Sequence, residues 1–134
     1  MKEKIKTLII EPMEHPKVCY LEPTMKAFRD AVNADAIEYG GVEAKKLGKQ
    51  VFAVFNKDRF LVDLEPNRRI GDDIITGDMY IVAINKDRFP ISLTDAQTEK
   101  FALRFWNVES FDDIDVVEAN LNLLFSRFLI DEEL

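Results

Sequence analysis

The chain has 134 residues, of which 47% are hydrophobic, and its 25 acidic and 18 basic residues give a formal net charge of −7. This length and composition predict one globular domain with a packed core rather than a disordered chain. The acidic balance argues against direct nucleic-acid binding, which depends on Lys and Arg contacts to phosphates, and against binding to anionic membrane surfaces.

The cysteine content and the apolar runs indicate the cellular setting. Cys19 is the single cysteine, so an intramolecular disulfide is excluded. The charged N-terminus is not followed by the apolar stretch of a signal peptide. No apolar run approaches the roughly 20 residues that cross a bilayer. We therefore expect a cytoplasmic protein without a membrane segment.

The first third of the chain is predicted to form a hairpin, a helix and a short strand. Residues 5–10 and 18–21 are β-branched or apolar runs separated by a proline-containing loop, which is typical of two paired strands. Thr24 suits the N-cap of a helix whose apolar residues recur at spacings of three and four. Residues 36–39 are predicted as a short strand, and the polar residues 42–50 as an exposed excursion between strands.

The pentapeptide Asn-Lys-Asp-Arg-Phe occurs at residues 56–60 and again at 85–89, each time after an apolar run. Asn and Asp favour local bonds to the backbone, so both copies are predicted to be polar turns whose Phe returns to the core. The first copy would join strands 51–55 and 60–64 in a hairpin. Residues 79–84 are predicted as the last strand, apolar enough to lie centrally in the sheet. The functional alternative is a pair of identical turns that face one partner. It is disfavoured because a strand follows the first copy, whereas Pro90 and then a helix follow the second, which argues against a symmetric site.

Two helix starts are predicted in the last third of the chain. Thr94 and Gln97 fit a capping box, and the helix that follows should place Phe101, Ala102, Phe105 and Trp106 on one stripe. Ser110 opens a final helix with an apolar seam formed by Ile114, Val117, Leu121, Leu124 and Phe128. Because this helix carries further apolar residues outside the seam, we expect it to contact a second surface. A homodimer through the seam and burial within one chain remain open alternatives.

These elements predict an α+β fold, with a mainly antiparallel sheet of about five or six short strands and about three helices packed largely on one face. Residues 1–106 are predicted to form a single α+β domain. Residues 107–134 are predicted to be a C-terminal helical extension that packs on this domain or on a partner.

An ordered set of short features is similar to a known family. It comprises an opening strand that ends in Glu11-Pro12, the loop Pro66-Asn67-Arg68, Gly77 before an apolar strand, and the helix start Ser92-Leu93-Thr94-Asp95. From Ile5 to about Trp106 the chain thereby resembles the domain-of-unknown-function family 3846, small proteins of phages and conjugative elements. Residues 43–50 are longer than is usual in that family, and the tail from Asn107 is an addition. The resemblance implies an origin on a mobile element and assigns no activity.

The segment Pro66-Asn67-Arg68-Arg69 is the best candidate for a binding site. Two guanidinium groups beside a turn can hold a phosphate or carboxylate in bidentate fashion, which makes Asn67, Arg68 and Arg69 the predicted ligand-binding residues. The structural alternative is that Asn67 bonds to the turn backbone while the arginines pair with neighbouring acidic residues.

Residues that could carry catalysis or bind a metal are sparse. His15 and Cys19 would stand about 13 Å apart in an extended segment, too far for a nucleophile–base pair. One His and one Cys do not make a zinc site, and we predict no metal or cofactor. Glu43-Ala44-Lys45 matches half of a restriction-type nuclease motif, with Asp35 as the upstream acid, but it falls in a segment predicted to be a polar loop.

We therefore predict a non-enzymatic accessory or protein-interaction domain, with a protein partner or a second copy of the chain as its target. One alternative is a small-ligand or nucleotide-binding domain that uses the Pro66–Arg69 loop. A second alternative is an acidic mimic of nucleic acid that blocks a DNA-binding enzyme. A pocket at Arg68 would favour the first alternative, a continuous acidic ridge the second, and an apolar surface patch the protein-interaction domain.

Overall fold

The computed structural model describes residues 3–32, 41–57 and 65–112, together with Asp115, Glu118 and Leu121. The described elements, in chain order, are β1 (Ile5–Ile10), β2 (Lys17–Leu21), α1 (Met25–Ala31), β3 (Val42–Gly48), β4 (Val51–Asn56), β5 (Pro66–Ile70), β6 (Asp73–Thr76), β7 (Met79–Ile84), β8 (Pro90–Ile91) and α2 (Asp95–Arg104).

The described strands form a six-stranded sheet and a separate two-stranded hairpin. The main sheet has the order β2-β1-β7-β4-β3, with the short β8 beside the end of β7, and every pairing in it is antiparallel. The second unit is the β5–β6 hairpin. The predicted hairpin of β1 and β2 and the central position of β7 are confirmed, and so is the mainly antiparallel α+β sheet.

Each face of the main sheet is covered by a different helix. On what we call the α1 face, Phe28 and Val32 pack against Ile5, Val54, Tyr80 and Val82. On the α2 face, Phe101 and Phe105 pack in one cluster with Leu8, Ile10, Ala53, Met79, Ile81 and Ala83, and with Ile70 and Ile75 of the β5–β6 hairpin. The prediction that the helices lie largely on one face is therefore wrong. The physical reason is that β4 and β7 are apolar at consecutive positions, so both of their faces require cover.

The helix starts follow the predicted capping chemistry. The Thr24 hydroxyl accepts the backbone N–H of Ala27 at the start of α1. At the start of α2, Thr94 and Gln97 form the reciprocal capping box. The described residues form two helices with defined bounds, so the predicted count of three is not matched there. Most of the predicted final helix lies outside the described residues.

Two segments predicted as loops are strands. The polar residues 42–50 contain β3, which pairs with β4 and contains a bulge between Lys46 and Gly48. Pro66–Arg69 is part of β5, which turns into β6 through Gly71 and Asp72, with Gly71 at a φ of 61°. The predicted strands at 36–39 and 60–64 lie outside the described residues.

The second copy of the repeated pentapeptide is a turn, as predicted. The Asn85 side-chain oxygen accepts the backbone N–H groups of Asp87 and Phe89, both at 3.0 Å. Phe89 does not return to the core, however, because it is 65% exposed. In the first copy Asn56 is buried, and its Nδ2 donates to the carbonyl of Val32 at the end of α1. The two asparagines thus have different roles, and residues 58–60 of the first copy lie outside the described residues.

Candidate functional site

A β-bulge brings two consecutive polar side chains into the protein interior. Pro66 is opposite Thr76 and Arg68 is opposite Ile75, so Asn67 is the extra residue in β5. A bulge of this kind redirects the side chains beside it. Asn67 and Arg68 are accordingly both buried, at 0% and 1% exposure, whereas Arg69 is exposed. The sequence predicted these three residues as one group, and the structure separates them.

The Arg68 guanidinium is bound by oxygen atoms from three parts of the chain. Its Nε donates to the main-chain oxygen of Phe105 at 3.1 Å, and its Nη2 donates to that of Glu14 at 2.6 Å. Its Nη1 donates to the side-chain oxygen of Asn67 at 3.0 Å. Burial lowers the pKa of Arg68 from its ordinary value, while the carboxylate of Glu109 acts in the opposite direction. Because an arginine in a protein stays protonated, this is a buried cation held by neutral oxygen acceptors.

Asn67 completes the same hydrogen-bond network. Its Nδ2 donates to the carbonyl of Ile10 at 2.7 Å and to that of Gly77 at 2.9 Å, and these oxygens end β1 and precede β7. The Asn67 side chain therefore donates through Nδ2 and accepts through Oδ1, and all of these partners lie within the chain. This geometry supports the structural alternative for Asn67 and Arg68 over a ligand contact, because their polar atoms are already engaged.

Arg69 lies on the surface above this network. Its backbone N–H donates to the Glu109 carboxylate at 2.8 Å, and its guanidinium carbon is 5.6 Å from the centre of the Phe111 ring. These contacts hold the segment after α2 against β5. A surface cavity of about 220 Å³ opens here, and it is lined by Met13, Glu65, Pro66, Glu109, Ser110 and Phe111.

The neighbouring surface carries a stacked aromatic pair. The His15 and Trp106 rings are 4.1 Å apart between centroids and only 8° from parallel. His15 Nδ1 is 2.6 Å from the main-chain oxygen of Trp106. Since a carbonyl oxygen only accepts, this contact places the ring proton on Nδ1. Trp106 remains 47% exposed and Met13 58% exposed. Trp106 was predicted to face the sheet, but it follows the end of α2 and lies at the surface.

Carboxylates crowd the same end of the sheet. Burial raises the pKa of Glu11, and the charges of Glu14 and Asp78 raise it further. Burial likewise raises the pKa of Asp78, with a further contribution from Glu14. Lys17 lies 3.5 Å from Glu14 and 3.9 Å from Glu11, so the cluster includes a cation. Among the described residues, no group of three or more His, Cys, Asp and Glu side chains is arranged to hold a metal ion.

We call the surface of Met13, His15, Pro66, Trp106 and Phe111 the aromatic patch. Its residues come from the β1–β2 loop, from β5 and from the segment after α2. These three segments are joined by the hydrogen bonds of Arg68. Sequence reasoning missed the patch because its residues are far apart in the chain. The one available sequence signal for the patch was the loop from Glu11 to Pro16, in which the apolar Met13 stands between Glu11 and Glu14.

The other sequence candidates lie elsewhere. Cys19 is half-buried at the middle of β2. Glu43 and Lys45 lie on β3, a strand rather than the predicted loop, and Lys45 is 3.9 Å from the Asp73 carboxylate. Asp35 lies outside the described residues. So do Ile114, Val117, Leu124 and Phe128 of the predicted interface seam, whereas Leu121 is described and exposed.

Residues 5–105 match the family described as "Domain of unknown function (DUF3846)". The chain belongs to this family. The match covers the main sheet, the β5–β6 hairpin and α2, so all three segments joined by Arg68 fall within the family domain or at its boundary. No curated protein matches the chain, and no solved structure matches it. No helix formed by the described residues has both the length and the apolar character needed to cross a membrane.

Proposed function

We propose that this member of the DUF3846 family is a non-enzymatic protein-interaction domain, and that the aromatic patch is its contact surface. The observation that carries this proposal is the exposure of Trp106 and Met13 on segments fixed by the buried Arg68. Trp and Met are enriched in protein interfaces, and exposed aromatic anchors on a rigid support supply most of the binding energy of such contacts.

The charge around the patch specifies the type of partner. Glu65 and Glu109 border the cavity, and Glu11, Glu14 and Asp78 crowd the same end of the sheet. Such a surface is complementary to a partner segment that presents an apolar side chain flanked by Lys or Arg. We assign the domain to the cytoplasm, in keeping with its single cysteine. We also assign it an origin on a phage or another mobile element, which is what the family resemblance implies.

The ligand-binding alternative has less support. The side chains of Asn67 and Arg68 are buried and bonded within the chain, so only Arg69 could reach a ligand. A rise in melting temperature with a nucleotide or with inorganic phosphate, lost in Arg69→Ala, would favour this alternative. The nucleic-acid mimic requires an unbroken row of carboxylates, but Lys17 lies between the carboxylates of Glu11 and Glu14.

The test is affinity capture from the host cell followed by mass spectrometry, with single-residue variants as bait. We expect a partner that binds the wild type and is lost with Trp106→Ala. Phe89→Ala is the matched control, since Phe89 is an exposed aromatic residue in the turn before β8, at the opposite end of the sheet. Partners that bind all three baits equally, or that are lost only with Phe89→Ala, would place the contact surface elsewhere.

A further inference from the structure

The two edges of the main sheet differ in their protection against pairing with another strand. β3, at one edge, contains a bulge and carries Glu43, Lys45 and Lys46. Bulges and charged side chains are the usual devices that keep an edge strand from adding a further strand. β2, at the other edge, pairs with β1 in regular register from Lys17 to Leu21 and contains no bulge. Of the two edge strands that the structure describes in the main sheet, β2 is therefore the less protected against strand addition.

The side chains of β2 are suited to such an addition. Val18 is 47% exposed and Tyr20 is 58% exposed. Val and Tyr are residue types that favour strands packed against neighbouring strands. Their cross-strand neighbours in β1 are Leu8 and Lys6, which places both side chains on the α2 face. Cys19 lies between them and contributes to the core of the α1 face.

We propose that β2 pairs with β2 of a second copy of this chain, antiparallel and centred on Cys19. A two-fold axis normal to the sheet keeps the α2 faces of both copies on the same side. Residues of the α2 face must then pair with residues of the α2 face, so Val18 is opposite Val18, Tyr20 or Glu22 of the second copy in the three registers centred within the strand. The register centred on Cys19 alone uses all five strand residues and leaves Pro16 and Pro23 outside the ladder.

This register is chemically self-complementary. It places Val18 opposite Tyr20 of the second copy, twice, which gives aromatic–β-branched pairs of the kind that stabilise sheets. Lys17 is opposite Leu21 of the second copy, so no like charges face each other. The two Cys19 residues face each other with Cα atoms about 4.5–5.5 Å apart, within the range that a disulfide can join. Five paired residues on each chain bury less surface than a standard interface, so we expect weak self-association rather than nanomolar affinity.

Oxidative cross-linking of the full-length chain tests the pairing. At about 100 µM, diamide should join two chains through Cys19 at least tenfold faster than it joins a Cys19→Ser, Glu99→Cys variant, because pairing raises the effective thiol concentration. Glu99 is exposed on α2, so this variant measures random collision. Tyr20→Lys should reduce the rate to the collision level, while Leu124→Glu, in the predicted C-terminal seam, should leave it unchanged. Equal rates for Cys19 and Glu99→Cys would overturn the proposal.

A second experiment tests the register. In the Cys19→Ser background, Val18→Cys mixed with Tyr20→Cys should give the mixed disulfide, since these positions face each other. Val18→Cys alone should cross-link poorly, because the same residue of the second copy is displaced along the strand. Both side chains are exposed, so these variants should fold, which circular dichroism will check. Efficient cross-linking of Val18→Cys alone, or Cys19 cross-linking that survives Tyr20→Lys, would overturn the proposed register.

Discussion

Arg68 donates its Nε–H to the main-chain oxygen of Phe105 across 3.1 Å, and this bond fixes the end of α2 against β5. The last carbonyls of a helix lack intrahelical partners and carry the negative end of the helix dipole, so a cation there is doubly favourable. On the other face, Asn56 donates to Val32 at the end of α1 across 3.2 Å. Both helices whose bounds the structure describes, α1 and α2, are thus bound at their C-terminal ends by a buried polar residue of a strand.

Arg68→Met should destabilise the protein by about 3 kcal/mol, because it leaves buried carbonyl oxygens without their charged donor. Urea denaturation measures the change. Arg69→Met is the matched control: Arg69 is exposed, so its loss should cost no more than about 0.5 kcal/mol. Wild-type stability in Arg68→Met would show that the network does not hold the fold together.

Asn67 and Arg68 should behave as one unit. Their side chains share a 3.0 Å hydrogen bond, and each also bonds to main-chain oxygens of other elements. In a double-mutant cycle with Asn67→Ala and Arg68→Ala, the free energies of unfolding should be non-additive by about 1 kcal/mol or more. Additive losses would mean that the two residues stabilise the fold independently.

The sequence was informative wherever the signal is local. The capping box at Thr94, the N-cap at Thr24 and the apolar run of β7 each predict their own structure from adjacent residues. β5 and β6 also carry a local signal, a turn at Gly71-Asp72-Asp73, although the strands on either side of it were not predicted. Gly71-Asp72 is a two-residue turn of the kind that joins hairpin strands, and it is followed by Ile74 and Ile75.

The candidate site could not be predicted because it depends on contacts between distant segments. The sequence predicts Arg68 as a ligand contact or as a partner of neighbouring acidic residues, yet the bulge at Asn67 turns its side chain inward. A bulge leaves no signature in composition. The stacking of His15 on Trp106 joins residues 91 positions apart. Likewise, the charges of β3 suggested a loop, whereas they are the polar residues of an edge strand.

Asp78→Asn should stabilise the protein at pH 7. Burial raises the pKa of Asp78 in the folded state, with a further contribution from Glu14, so the folded state binds its proton more tightly than the unfolded state does. This carboxylate therefore lowers stability as pH rises from its unfolded pKa of about 4 through its folded pKa, and the loss persists above it.

Denaturation curves collected across this pH range provide the test for Asp78. Asp78→Asn should flatten the pH dependence, whereas Glu99→Gln, the same chemical change on the exposed surface of α2, should retain the wild-type profile. A variant that is less stable than the wild type at pH 7 would show that the carboxylate makes a favourable contact.

Tyr80 should make the protein sensitive to alkali. Burial raises the pKa of its hydroxyl to about 12, and the nearby Cys19, Asp78 and Glu11 act in the same direction. Between pH values of about 10 and 12 the unfolded state loses the phenol proton and the folded state keeps it, so stability should fall as pH rises through this window. Tyr80→Phe should reduce that slope, while Tyr20→Phe, at an exposed position, should not. Ionisation of all the tyrosines in one step near pH 10 would contradict this prediction.

The chain should show no metal-dependent nuclease activity from its Glu43-Ala44-Lys45 segment. This segment lies on strand β3 rather than in the predicted loop. Lys45 instead pairs with Asp73 of the β5–β6 hairpin at 3.9 Å, a contact that joins two parts of the fold.

We expect no cleavage of plasmid or single-stranded DNA with Mg²⁺ or Mn²⁺ by the wild type, and the same background from Glu43→Gln. Lys45→Met should change stability by less than about 1 kcal/mol, since the pair is partly exposed. Cleavage by the wild type that disappears in both Glu43→Gln and Lys45→Met, with folding intact, would establish an enzyme and refute the proposal of a non-enzymatic domain.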